Sequence, residues 1–247
     1  LEALERYKKG LMQKTVHDPS FHVAVVERLL TRYEEETPEV RKAIVEILAG
    51  LRPQMGKDFQ KFIRIHASGY ELLFGVNEKI YLFSGDPLSL EEMERIMQEA
   101  IAVNPETPRF YHLAGRAAIL KGTYEVGEAL HAKAYELTPQ RREDRFEHYF
   151  QVGLSYAKAG EKERAALNFK TGLDARYELR KESMESPYDF KDVLLLGKVA
   201  ASFCELGRVQ ECVALLKQGK EIYPEYASEF QRHLDSVQEQ LEGAKYR

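Results

Sequence analysis

The chain has 247 residues, of which 44% are hydrophobic, 31% charged and 11% aromatic, an ordinary globular composition that excludes wholesale disorder. Lys and Arg total 36 against 40 Asp and Glu, a net charge of −4. That balance argues against nucleic acid as a partner, because phosphate neutralisation needs clustered positive charge.

Two cysteines, Cys204 and Cys212, are too few to staple a secreted fold, and they leave the redox compartment open. No uncharged run is long enough for a membrane-spanning helix. No targeting segment is visible. The chain begins at Leu1 rather than Met, so an upstream segment is expected to have been removed, and localisation stays unknown.

Residues 1–69 read as helical hairpins packed on the central part of the chain. Asp18-Pro19 and Thr37-Pro38 each place a capping oxygen before a proline suited to a first helical turn. Val25, Val26, Leu29, Leu30 and Tyr33 keep helical spacing, as do Val40, Ile44, Ile47, Leu48 and Leu51. Pro53 and Gly56 break the chain, and another helix is expected near Lys57, crossing or bending at Gly69. Residues 70–107 carry 8 acidic and 2 basic residues. Leu90-Glu91-Glu92-Met93-Glu94 concentrates the acids at an expected helix start, where they favour the helix dipole. Phe74, Tyr81 and Gly85 have the spacing of a first helix. A longer turn over Ser84–Ser89 is expected to lead to a second helix from about 89 to 103.

From there the chain repeats. Gly122 to Pro139 and Gly207 to Pro224 are the same distance apart, and aligning on these glycines recovers a third unit around Gly160. Gly115, Gly153 and Ala200 are small, which permits close helix approach. Gly127, Ala165 and Cys212 are the small residues expected to face them. His131, Phe169 and Leu216 are expected to plug the gap towards the next unit. Ala134, Gly172 and Gly219 are small again where that unit packs. Gly122, Gly160 and Gly207 end the first helices, where a left-handed residue satisfies orphan carbonyls. Pro139 and Pro224 close second helices. Tyr177 stands in that place in the middle unit, so its second helix should run on.

The pattern resembles the tetratricopeptide repeat over 108–141, 146–179 and 193–226, with a degenerate unit over about 70–107. The resemblance implies an all-α, right-handed superhelical solenoid of helical hairpins. Residues 1–69 form its N-terminal extension, 70–226 the repeats and 227–247 a C-terminal capping helix. Tyr226, Phe230, Leu234, Val237 and Leu241 give that last helix its apolar face, which an open repeat stack needs as a shield. Two insertions break the period. Gln140–Arg145 adds arginines. Arg180–Asp192 predicts a projecting helical hairpin, with its second helix starting near residue 187 and with Tyr188 and Phe190 as partner contacts.

The sequence offers no phosphate-cradling glycine loop and no Gly-x-Ser-x-Gly elbow. Of the seven histidines, His17, His22, His66, His112, His131, His148 and His233, no two are three or four apart, so no single helix presents a two-histidine metal face. Cys212 fills a small core site. The chain is read as non-enzymatic, with no cofactor and no metal.

What the resemblance implies is an adaptor. First helices would line a concave groove that holds a peptide or helix of another protein. Family members that grip a C-terminal carboxylate use a Lys, Arg and Asn clamp. The matching positions are His112, Arg116, Gln151, Leu194 and Lys198; none is identical, which disfavours the strict clamp. A moderately basic groove remains, with Arg109, His112, Arg116, Gln151, Lys158 and Lys198 polar and Leu113, Phe150 and Leu154 apolar. Arg116 and Lys198 are expected on exposed turns, suited to an acidic segment. The alternatives are a self-associating structural subunit, or an accessory domain of a secretion or enzyme complex.

Overall fold

The computed structural model describes residues 19–33, 37–51, 67–138, 142–182 and 190–244. The described residues form eleven α-helices and one 3-10 turn, with no strand among them. In chain order they are α1 (Pro19–Tyr33), α2 (Pro38–Leu51), α3 (Ala67–Ser84), α4 (Pro87–Val103), α5 (Pro108–Leu120), α6 (Tyr124–Leu137), α7 (Arg142–Lys158), α8 (Lys162–Glu182), α9 (Phe190–Glu205), α10 (Val209–Ile222), the 3-10 turn Pro224–Tyr226 and α11 (Ala227–Ala244). The chain divides into two compact units, Leu1–Leu137 and Thr138–Arg247.

Four helical pairs turn on a left-handed glycine. Gly85, Gly122, Gly160 and Gly207 have φ of 68°, 88°, 78° and 74°, a region that carries a steric penalty for any residue with a Cβ. In each pair the second helix starts two residues after this glycine. The longer turn expected after Gly85 is therefore not present: α4 begins at Pro87, not near 89. Pro87 supplies a helical φ at the first position, and the Asp86 carboxylate accepts from the Leu88 amide, so the helix can start at once. The other three turns share one hydrogen-bond pattern. Thr123 donates to the Ala118 carbonyl, Glu161 to Tyr156 and Arg208 to Phe203, each at 2.9 Å. These bonds satisfy carbonyls that a helix end would otherwise leave open.

In the first unit α1 and α2 start at Pro19 and Pro38, as the proline signals predict. The Arg41 amide donates to the Thr37 carbonyl, and the Arg41 guanidinium donates to the Tyr33 carbonyl at 2.9 Å. Lys79 of α3 lies 4.7 Å from the Tyr33 ring centre, and Leu30 packs 3.1 Å from where a Gly75 Cβ would sit. These contacts dock the N-terminal helices on the first hairpin. Phe74, Met93, Met97, Ala100 and Phe110 form a closed core between α3, α4 and α5. The Tyr81 hydroxyl donates to the Leu120 carbonyl, tying the end of α3 to the end of α5.

In the second unit α7 begins at Arg142, so part of the arginine-bearing insertion extends the helix. The middle second helix does run on: α8 spans 21 residues and passes Tyr177 without a break. The expected helix start near residue 187, and Tyr188 with it, lie outside the described residues, as do the expected helix near Lys57 and Pro139. Phe230 of α11 is buried, and its ring lies against Gly219 of α10 and near Tyr223, so the C-terminal helix covers the last hairpin.

Candidate functional site

The residues expected to line a groove lie on α5, α7 and α9. On α5 they meet other parts of the protein instead of solvent. Arg116, expected on an exposed turn, is 7% exposed, and its guanidinium pairs with Glu78 of α3 at 3.3 Å. Both side chains of this pair are nearly inaccessible, at 8% and 5%. His112 is also buried, and its Nδ1 lies 2.8 Å from Nδ1 of His131, which is wholly buried. One ring must donate and the other accept at that distance. Leu113 is buried as well. The reason is geometric. The face of α5 that a single-helix pattern assigns to a groove is covered by α3 on one side and α6 on the other. Arg109 alone of the four α5 residues is exposed, and it pairs with Glu71 at 3.2 Å.

On α7 the division is sharper. Gln151 is buried, donates to the Glu147 carboxylate at 2.7 Å, and its backbone carbonyl accepts from the Ser155 hydroxyl. Val152, Ser155 and Tyr156 are buried beside it. Phe150, Leu154 and Lys158, at successive four-residue steps, are half-buried, and Glu147 is exposed. They form one outward stripe along the helix. The Phe150 ring stacks on Phe146 at 6.1 Å and meets Phe169 at 5.8 Å, so its edge is anchored in the hairpin. The side chains of Leu194, Lys198 and Phe190, like Tyr188, lie outside the described residues.

The same spacing recurs in the first two of these pairs: Gly115 meets His131 and Gly153 meets Phe169, each sixteen residues on. A Cβ on Gly115 would lie 2.8 Å from the Gly127 carbonyl oxygen and 2.8 Å from the His131 ring. In α7–α8 the Phe169 ring lies 2.5 Å from a Cβ built on Gly153, at the place His131 takes beside Gly115. Phe169 and His131 thus each pack against the first helix of their own hairpin. Gly172 meets Tyr149 and Phe146 of its own hairpin, while Gly219 meets Leu196 of its own hairpin and Phe230 of the next helix.

Two features are not legible as sites in the sequence. Cys204 and Cys212 form a disulfide that joins α9 to α10, with their Cα atoms 5.5 Å apart. Large apolar side chains also stand exposed at the α3–α4 turn: Leu82, Phe83 and Leu88 are 37%, 44% and 61% accessible. Elsewhere the surface charges pair locally. Glu92 and Glu99 both hold Arg95, and Arg208 pairs with Glu211 and Glu163. The Arg208 guanidinium holds the Glu211 carboxyl below the usual carboxylate range. Among the described residues no group of three or more His, Cys, Asp or Glu could hold a metal ion, and no helix is long and apolar enough to cross a membrane.

No protein-family model matches the sequence, and no curated protein matches it. Solved structures are similar in fold. A point variant of a putative kinesin light chain from Podosopora anserina, described as having nearly identical TPR-like repeats, aligns with a TM-score of 0.50 at 16% identity, over 87% of this chain and all of its own. Another structure of that protein gives 0.48 at 16% identity, covering 84% of this chain and 97% of its own. BtubC from P. vanneervenii gives 0.42 at 16% identity, covering 86% and 93%. Taken with the four glycine-turned hairpins and their shared spacing, the first of these likenesses shows that the chain has the all-α fold of TPR-like helical repeats.

Proposed function

We propose that this chain is a non-enzymatic interaction scaffold that holds a peptide or helix of a partner protein against its first helices. The observation that carries the reading is the stripe on α7. Phe150, Leu154 and Lys158 keep part of their surface open while the opposite face of the same helix is closed. An apolar pair followed by a cation suits a partner segment with apolar side chains and an acidic group. Arg109, an exposed cation on α5, is a candidate contact of the first unit taken by itself. Lys198, Tyr188 and Phe190 belong to the same proposal as further contacts. The buried His112, Leu113, Arg116 and Gln151 act as supports for these helices and are not offered as contacts.

A photo-crosslinking residue at position 154 tests this in extract of the native source, with position 167 as control. Leu167 is 64% exposed on α8, on a second helix. A discrete adduct is expected from position 154 and not from 167, and Lys158→Glu should reduce it. Equal yields from both positions, or an adduct indifferent to Lys158→Glu, would remove the α7 stripe as the working surface.

A further inference from the structure

Counting from each turn glycine, Cys204 stands three residues before Gly207 and Cys212 five after it. The same two positions around Gly122 are Ile119 and Gly127. There the structure independently shows close approach, since a Cβ on Gly127 would lie 2.5 Å from Ile119 Cγ1. The repeat backbone therefore brings this pair of positions together whatever occupies them. In α9–α10 they are occupied by two cysteines, and they are bonded.

The geometry points to a reversible thiol–disulfide site, Cys204–Cys212, that governs how firmly the last hairpin and α11 are held. The two sulfurs are not equivalent. Cys212 is 1% exposed, whereas Cys204 is half-buried. A small-molecule thiolate would therefore attack Cys204 Sγ. The Cys204–Cys212 bond breaks, a mixed disulfide forms on Cys204, and Cys212 leaves as a thiolate that takes a proton. A second thiolate attacks the sulfur of the small molecule in the mixed disulfide and releases Cys204. The net change is one protein disulfide and two small thiols giving two protein thiols and one small disulfide. Oxidation by a small disulfide such as oxidised glutathione runs the same steps backwards: Cys204 is captured first and Cys212 closes the bond. Which form dominates is set by the thiol poise of the surroundings.

The consequence is local because a repeat is supported by its neighbours in the chain. The bond links α9 to α10. Gly219 of α10 receives Phe230 of α11, so α11 rests on a helix that the bond holds in place. Opening the bond returns loop-closure entropy to the opened state of this hairpin.

The experiment is hydrogen exchange on the full chain, treated either with oxidised glutathione or with a phosphine reductant, and alkylated to count thiols by intact mass. After oxidised glutathione and removal of excess reagent, neither cysteine should alkylate; after reduction both should. Amides of α10 and α11 should exchange roughly 10- to 100-fold faster in the reduced form, with α5 and α6 unchanged. Cys204→Ser should exchange like the reduced wild type and ignore the reductant. Two alkylatable thiols after oxidation, equal exchange of α10 and α11 in both forms, or a reductant effect that persists in Cys204→Ser would each overturn the proposal.

Discussion

In α5–α6 the two helices approach until backbone nearly meets backbone, with Gly115 against the Gly127 carbonyl and Ile119 covering Gly127. Polar groups are buried among its apolar side chains: His112 bonds His131, and Arg116 reaches Glu78 in the preceding hairpin. In α9–α10 the corresponding first-helix site is Ala200, which already carries a Cβ, and the Ile119/Gly127 positions become a disulfide. Its arginine, Arg208, sits at the turn, lies 4.6 Å from the Phe203 ring centre, and pairs with Glu211 and Glu163 at the surface. The backbone turn is the same in both. A repeat thus fixes where side chains meet but not the chemistry by which they hold. Both hairpins close an apolar core; the inner one adds close backbone approach and buried polar partners, the last one a covalent bond, with its charges paired at the surface.

The strongest way to break this contrast is Glu78→Ala. It leaves the Arg116 cation buried without its carboxylate and should cost about 3–5 kcal/mol in urea unfolding. Glu78→Leu with Arg116→Met should lose less than either single change, since two apolar groups leave no charge to desolvate. A Glu78→Ala variant with an unchanged midpoint would mean the pair is not closed to water.

Next in size is a transplant of the covalent solution. The equivalent positions in α7–α8 are Ala157 and Ala165. Cysteines at both should oxidise to a bond within the hairpin and add about 2–3 kcal/mol to its stability. Mass after alkylation reads the bond directly. Thiols that stay free would show that the register is not shared.

Gly115→Ala should cost about 1–3 kcal/mol by thermal melting, because its new Cβ meets a backbone oxygen that cannot rotate away. Gly122→Ala should cost about 1 kcal/mol for a different reason. Nothing lies within 4 Å of its Cβ, so the penalty is the left-handed backbone alone. A loss at Gly122 as large as at Gly115 would place strain in the turn rather than in the helix contact.

The smallest effect is expected from Glu211→Gln, since the pair it breaks is exposed and screened. Arg208 lowers the Glu211 carboxyl below its ordinary value of 4.5. Its contribution is therefore present above that pH and fades as pH falls through the lowered value. Wild type and Glu211→Gln should melt together at neutral pH in physiological salt. A clear loss, larger at neutral than at acid pH, would show that the surface pair matters to the last hairpin.

The sequence by itself determined the hairpins and their phase. A left-handed turn is a property of one residue and its neighbours, so Gly122, Gly160 and Gly207 can be read without knowing what they touch. The same holds for Pro19 and Pro38 at helix starts and for Tyr177, which lets α8 continue where proline would have stopped it. The α7 stripe is also legible, because Phe150, Leu154 and Lys158 are spaced on one helix face. What only the tertiary structure decided is which faces are closed. Arg116 reads as a groove cation from α5 alone, but its partner Glu78 is 38 residues away, on a helix that sequence spacing does not orient. His112 and Gln151 depart from the expected groove for the same reason: a periodic pattern tells which residues share a face, and burial depends on the neighbour that covers it. Cys204 and Cys212 can be placed on opposite helices of one hairpin, but a bond needs their Cβ atoms to point at each other. That alignment is set by how far α10 slides along α9, a quantity fixed by packing across the whole hairpin.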